Sequence, residues 1–173
     1  MKQLRPEPDS VRLRVAVLIA LMAASTAVVR VGVGGALLTA ACVVGIPAAY
    51  VFSYRRRERD EMWLKVVVAV ALLVAFADFL VTVAALGTEA LGSVQVPLAE
   101  LFLWVQILHS VHLPARKDLM FSIASSVALI AVAGVLSTSL DLAVHLLVWA
   151  PAFVASLVLG HRHELDELPA LGP

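Results

Sequence analysis

Long apolar runs broken by short polar stretches set the pattern of this chain. The runs fall at about 11–29, 34–54, 62–86, 96–112, 119–136 and 140–160. A helix needs roughly 20 predominantly apolar residues to cross about 30 Å of hydrocarbon, so each run predicts one crossing. The expected fold is all-α: a polytopic membrane helical bundle of about six transmembrane helices, with residues 1–173 forming a single transmembrane domain. The first run reads as a true span rather than a cleaved leader, because a second apolar run follows almost at once where a polar mature start would stand. Pro47, late in the second run, removes one helical hydrogen bond and predicts a bend there. Small residues at three- and four-residue spacing predict close helix approach in lipid. They are Gly35, Thr39, Ala41 and Gly45 on the second run, Ala71 and Ala75 on the third, and Ala124 and Ala128 on the fifth.

Composition agrees with a lipid-facing chain. Of the 173 residues 61% are hydrophobic and 15% charged, against about 45–50% and about 25% in a soluble domain. Thirteen basic residues balance thirteen acidic ones, so no overall field recruits nucleic acid. The basic residues are nevertheless unevenly placed. With the amino terminus in the cytoplasm, Lys2, Arg5, Arg12 and Arg14 lie inside, as do Arg55, Arg56, Arg57, Arg59 and Lys65. Arg116, Lys117 and Arg162 complete that side, leaving only Arg30 outside. A positive cytoplasmic side is the general rule for multi-span proteins, and it predicts six crossings with both termini cytoplasmic. The run RRRERDE at 55–61 reads as a solvated turn that fixes this topology. Tyr50, Phe52, Tyr54 and Trp63 flank it as an interfacial aromatic belt, while Trp104 sits deeper and packs against the bundle.

Ionisable groups inside a span cost roughly 2.5–3.5 kcal/mol on insertion scales, so each needs an account. Asp78 lies ~12 Å from the outer end of the third run, while Glu100 and Gln106 lie ~6 and ~15 Å below the outer surface in the fourth. These depths bracket Asp78 and predict an intramembrane polar cluster of Asp78, Glu100 and Gln106. Such a cluster serves as a structural clasp, as a proton- or ion-carrying site, or as a contact with another subunit. His109 and His145 fall on opposite sides of the membrane, which excludes a haem held between them. His109, His112, His161 and His163 all reach the inner face near Glu164 and Asp166. They are weak zinc candidates, since spaced neutral imidazoles bind that metal; no metal or cofactor is expected. Cys42, alone among aliphatic residues, is a poor nucleophile and offers no disulfide.

The stretch LFLWVQILHSVHLPARKDLMFS at 101–122 joins two runs through a polar elbow of His109, His112, Arg116, Lys117 and Asp118. Pro114 is expected to stop the fourth helix, Asp118 to cap the fifth, and Arg116 with Lys117 to hold the turn at the cytoplasmic face. From Trp104 to Gly134 this stretch resembles the membrane region of bacterial membrane-anchored transglutaminase-like proteins of the TgpA type. The likeness rests on Gln106 and His109 closing one helix, and on Arg116, Lys117, Asp118 and Leu119 opening another rich in small residues. His112 departs from the acidic residue expected at its position. The resemblance implies a multi-span anchor in the bacterial inner membrane, working in the cell envelope. In that family a papain-like Cys-His-Asp domain follows on the outer side. No Cys-His-Asp set in this chain shares a compartment, so the resemblance implies an anchor and not an enzyme. Three functions are thus expected in descending order: a non-catalytic membrane anchor or scaffold, an accessory subunit of a larger membrane complex, and a small proton- or ion-coupled transporter using Asp78. The expected partners are the lipid bilayer and either other membrane subunits or a missing C-terminal domain.

Overall fold

A computed structural model describes residues 10–56, 62–87, 94–113 and 116–167, with side chains as far as Arg162. Among the described residues the chain is helical and contains no strand. Helix α1 spans Val11–Arg30 and is capped by Ser10, whose hydroxyl accepts from the Leu13 amide at 3.2 Å, satisfying one of the donors a helix start leaves over. The helix closes at Gly32, whose φ of 88° is one that side-chain-bearing residues rarely adopt. Helix α2 (Ala36–Ala40) passes through a π-helical turn at Ala41–Gly45 into α3 (Ile46–Arg56), making one rod of 21 residues. Helices α4 (Met62–Leu86), α5 (Gln95–Ser110), α6 (Arg116–Leu136) and α7 (Asp141–Glu167) follow.

Among the described residues five helical segments are long and apolar enough to cross a membrane: α1, the Ala36–Arg56 rod, α4, α6 and the Asp141–Arg162 part of α7. The protein is therefore a multi-pass membrane protein by length and composition. Helix α5 has 16 residues, or about 24 Å at 1.5 Å per residue, and falls short of that length. The six expected runs all coincide with helix: most ends lie within three residues of expectation, α6 starting three before Leu119 and α5 stopping two before His112, while α7 runs seven residues past Gly160.

Pro47 is accompanied by a change of helix type. It lacks the N–H that would reach four residues back, and its ring crowds that carbonyl. The backbone answers one turn earlier by widening, and the Ile46 amide bonds to the Ala41 carbonyl five residues back. A π-turn of this kind lets the helix continue across the proline.

The core is built around α1. Leu13, Val17, Ala20, Leu21, Ala24, Ala27 and Val28 are all buried, packed mainly by α6 and α7, with the α2–α3 rod closing another side. The alanines on this face let the neighbouring backbones come close. The small residues expected to do this elsewhere do not all do so. Gly35 and Ala124 are exposed, and a Cβ at Gly35 would meet open space. Trp149 stacks on Phe153 at 4.8 Å and donates from its indole N–H to the Ser126 hydroxyl (3.1 Å), tying α7 to α6. Trp104 packs against the core as expected. At the far end Arg30 and Asp141 pair at 3.7 Å. Helix α4 is different from the rest. It rests chiefly on α5, and Leu64 is its one buried residue.

Candidate functional site

Two places hold polar side chains where an apolar bundle would not need them. The first is a buried knot at the end of the bundle where α1 and α6 begin and α3 and α5 end. Arg14, only 5% exposed, sits one turn into α1. Its Nη2 donates to the Leu113 carbonyl at 2.7 Å, and its guanidinium lies 5.5 Å from the centre of the Tyr54 ring. The amide of Leu113 donates to the Ser53 hydroxyl at 2.8 Å. One fully buried residue of the elbow is thus held through both of its backbone groups, by α1 on one side and α3 on the other. A charge-assisted bond of this kind is among the stronger ones available.

Deeper in the knot, Gln106 Nε2 donates to the hydroxyls of Ser110 and Ser122, each at 3.4 Å. Ser110 donates to the Gln106 carbonyl (2.7 Å), one turn back on the same helix, and Ser122 to the Asp118 carbonyl (3.3 Å). The Tyr50 hydroxyl lies beside Ser122 and Arg14. Tyr50 Oη and Gln106 Oε1 are both buried with no hydrogen-bond partner among the described residues. Their helical spacing explains the grouping. Tyr50 and Ser53 are three apart, and Gln106 and Ser110 four apart, so each pair shares one face of its helix. Arg14, Tyr50, Ser53, Ser110 and Ser122 were not singled out by sequence pattern as members of a site. The available signal was an arginine four residues inside an apolar run, with serines flanking the elbow on both helices.

The elbow itself lies on the rim of this knot. With its proton on Nε2, the half-buried His109 ring donates to the Asp118 carbonyl at 3.3 Å and meets the Phe121 ring edge-on at 4.5 Å. The His112 amide bonds to the His109 carbonyl (3.2 Å). Arg116 donates to the Gly160 carbonyl of α7, and Lys117 is exposed. Asp118 does not precede α6 as a cap. It is the third residue of the helix, within the first turn, where a carboxylate favours the positive end of the helix dipole. Pro114 lies outside the described residues. So do the side chains of His163, Glu164 and Asp166, while His161 is exposed. Among the described residues no three His, Cys, Asp or Glu side chains converge to hold a metal. Cys42 is fully buried in the core, within the π-turn.

The second place is the outer surface of α4. Asp78 is exposed there, eight residues from Leu86, and no described residue reaches it by hydrogen bond or ion pair. Glu100 is half-buried and Gln106 is buried. No hydrogen bond joins the three. Helix phase gives the reason: Glu100 and Gln106 are six residues apart, or about 120° around α5. Gln106 faces the serines of the knot, and the expected cluster is divided between the inside of the bundle and its surface. Around Asp78 the α4 surface is apolar except for the exposed Thr82 one turn on, with Val74, Leu80 and Val81 all more than half exposed.

Comparison with family models, curated proteins and solved structures returns no match for this chain.

Proposed function

We propose that this protein is a membrane scaffold: a multi-pass subunit without a catalytic role of its own, which holds a partner membrane protein against α4. The observation that carries this reading is the exposed carboxylate of Asp78 in the middle of the most apolar helix, whose mean hydropathy is 2.7. Facing acyl chains, an ionisable group there costs roughly 2.5–3.5 kcal/mol. A donor on a partner helix offsets part of that cost, since interhelical hydrogen bonds in membranes contribute up to about 1.7 kcal/mol. The core is built around α1, and α4 adds one buried residue to it, which leaves its surface available for another chain.

In this reading the chain crosses the membrane six times with both termini in the cytoplasm, and α5 is the fourth crossing. The contact of Arg14 with Leu113 supports it by bringing the start of α1 to the elbow. The pairing of Arg30 with Asp141 at the opposite end supports it too. The likeness of residues 104–134 to transglutaminase-like membrane anchors supports an envelope setting in the bacterial inner membrane.

Mild-detergent purification from native membranes tests the proposal. A partner should co-elute in fixed ratio with the unaltered chain and be lost from Asp78→Leu, while helicity and elution volume of the variant stay unchanged. A chain that elutes alone, or a partner retained by Asp78→Leu, would overturn it. The topology has its own test. In a Cys42→Ala background, a cysteine at Ser137 should be labelled from outside the cell and one at Lys117 should not.

A further inference from the structure

Alongside the knot, α1 and α3 leave a groove of about 190 Å³ between them. Its walls are Val11, Val15 and Leu18 of α1 and Val51 of α3, and Tyr54 and Arg55 stand at one end. Val11, Val15 and Leu18 follow one another at four- and three-residue spacing, so they form one strip about 10 Å long. The two ends of the groove differ in chemistry. The Leu18 end is aliphatic, while the other end meets α3 one residue before its last, at Arg55. Arg55 is exposed, and no described residue pairs with it. Arg14, its guanidinium held by the Leu113 carbonyl and the Tyr54 ring, also borders the groove. Arg55 thus sets one cation at the mouth of an otherwise apolar slot.

We propose that this groove holds one anionic phospholipid from the leaflet in which α1 begins. One acyl chain lies along Val11, Val15, Leu18 and Val51, and the headgroup phosphate meets Arg55 and the Tyr54 hydroxyl. The aliphatic walls accept any acyl chain, so selectivity comes from the mouth. There a net negative headgroup pairs with Arg55, whereas a zwitterionic one carries its own compensating cation. The site is independent of α4 and of the partner proposed there. Its retention of lipid is read from the isolated chain, so its failure leaves the scaffold reading untouched.

The test is native mass spectrometry of the full chain, released from mild detergent after exchange with dioleoyl phosphatidylglycerol or dioleoyl phosphatidylcholine. The expected result is one retained phosphatidylglycerol per chain, preferred over phosphatidylcholine. Arg55→Glu should lower that retention by at least about fivefold, the effect of losing one basic residue against an anionic headgroup. Lys117→Glu, which removes an exposed cation elsewhere, should leave it unchanged. Val15→Trp fills the groove from the α1 side and Val51→Trp from the α3 side; each should lower retention with Arg55 intact. Equal retention of the two lipids would overturn the proposal. So would equal losses in Arg55→Glu and Lys117→Glu, which would mean diffuse surface attraction, or full retention in both tryptophan variants.

Discussion

Helices α1 and α4 are both long enough to span a membrane, and they stand at opposite extremes of burial. More than half of the most apolar stretch of α1 is buried, at a mean hydropathy of 1.8, whereas none of that of α4 is buried, at 2.7. In water the more apolar helix would lie inside. In lipid the order reverses, because acyl chains solvate Val and Leu as well as a core does, while polar and small residues gain from being enclosed. Two of the charged residues in these helices show the same contrast. Arg14 is enclosed and held by a carbonyl of the elbow. Asp78 is left on the surface, and that asymmetry is why the scaffold reading places the partner on α4.

The largest effect should come from deleting core volume in α1. Leu21→Ala should lower unfolding stability in detergent by about 2–5 kcal/mol, whereas Leu73→Ala on α4 should change it by less than about 0.5 kcal/mol. Equal losses, measured by thermal or denaturant unfolding of the purified chain, would remove the distinction between the two helices. Next is Asp78→Leu, which should favour membrane insertion of α4 by about 3 kcal/mol in a translocon assay and leave the fold of the isolated chain intact. Arg14→Met should follow, costing about 1–3 kcal/mol because it strips the buried Leu113 carbonyl of its donor. Ser53→Ala, which removes the acceptor of the Leu113 amide, should act in the same direction. The smallest effect belongs to Arg30→Gln. The Arg30–Asp141 pair is about two-thirds exposed on each side, and its loss should change stability by less than about 1 kcal/mol and matter least at high salt.

The helices were legible in the sequence because apolar runs of about 20 residues leave little else for the backbone to form. Which face of each helix turns inward was not. In a chain where nearly every position in a span is apolar, the 3.6-residue period that marks the buried side of a soluble helix disappears. That is why Gly35 and Ala124 suggested close packing and proved exposed, while Ala20, Ala24 and Ala27 of α1 do that work. Depth alone suggested that Asp78 and Gln106 could meet, but the rotation of α5 separates them. Arg14 read as a marker of topology because it is basic and near the start of a run. Its second role needed the Leu113 carbonyl, 99 residues away in sequence, and no local pattern encodes that meeting. The elbow was recognisable as a turn, yet the groups that clamp it come from α1 and α3.

The central claim is that the Asp78 face of α4 meets protein and not lipid. Photo-crosslinking in native membranes tests it most directly, with a photoreactive residue placed in turn at Val74, Val81 and, as a lipid-facing control on α7, Val158. The account predicts one protein adduct of the same discrete mass from Val74 and Val81, lost when Asp78→Leu is added, and lipid adducts alone from Val158. Lipid adducts alone from all three positions would contradict it.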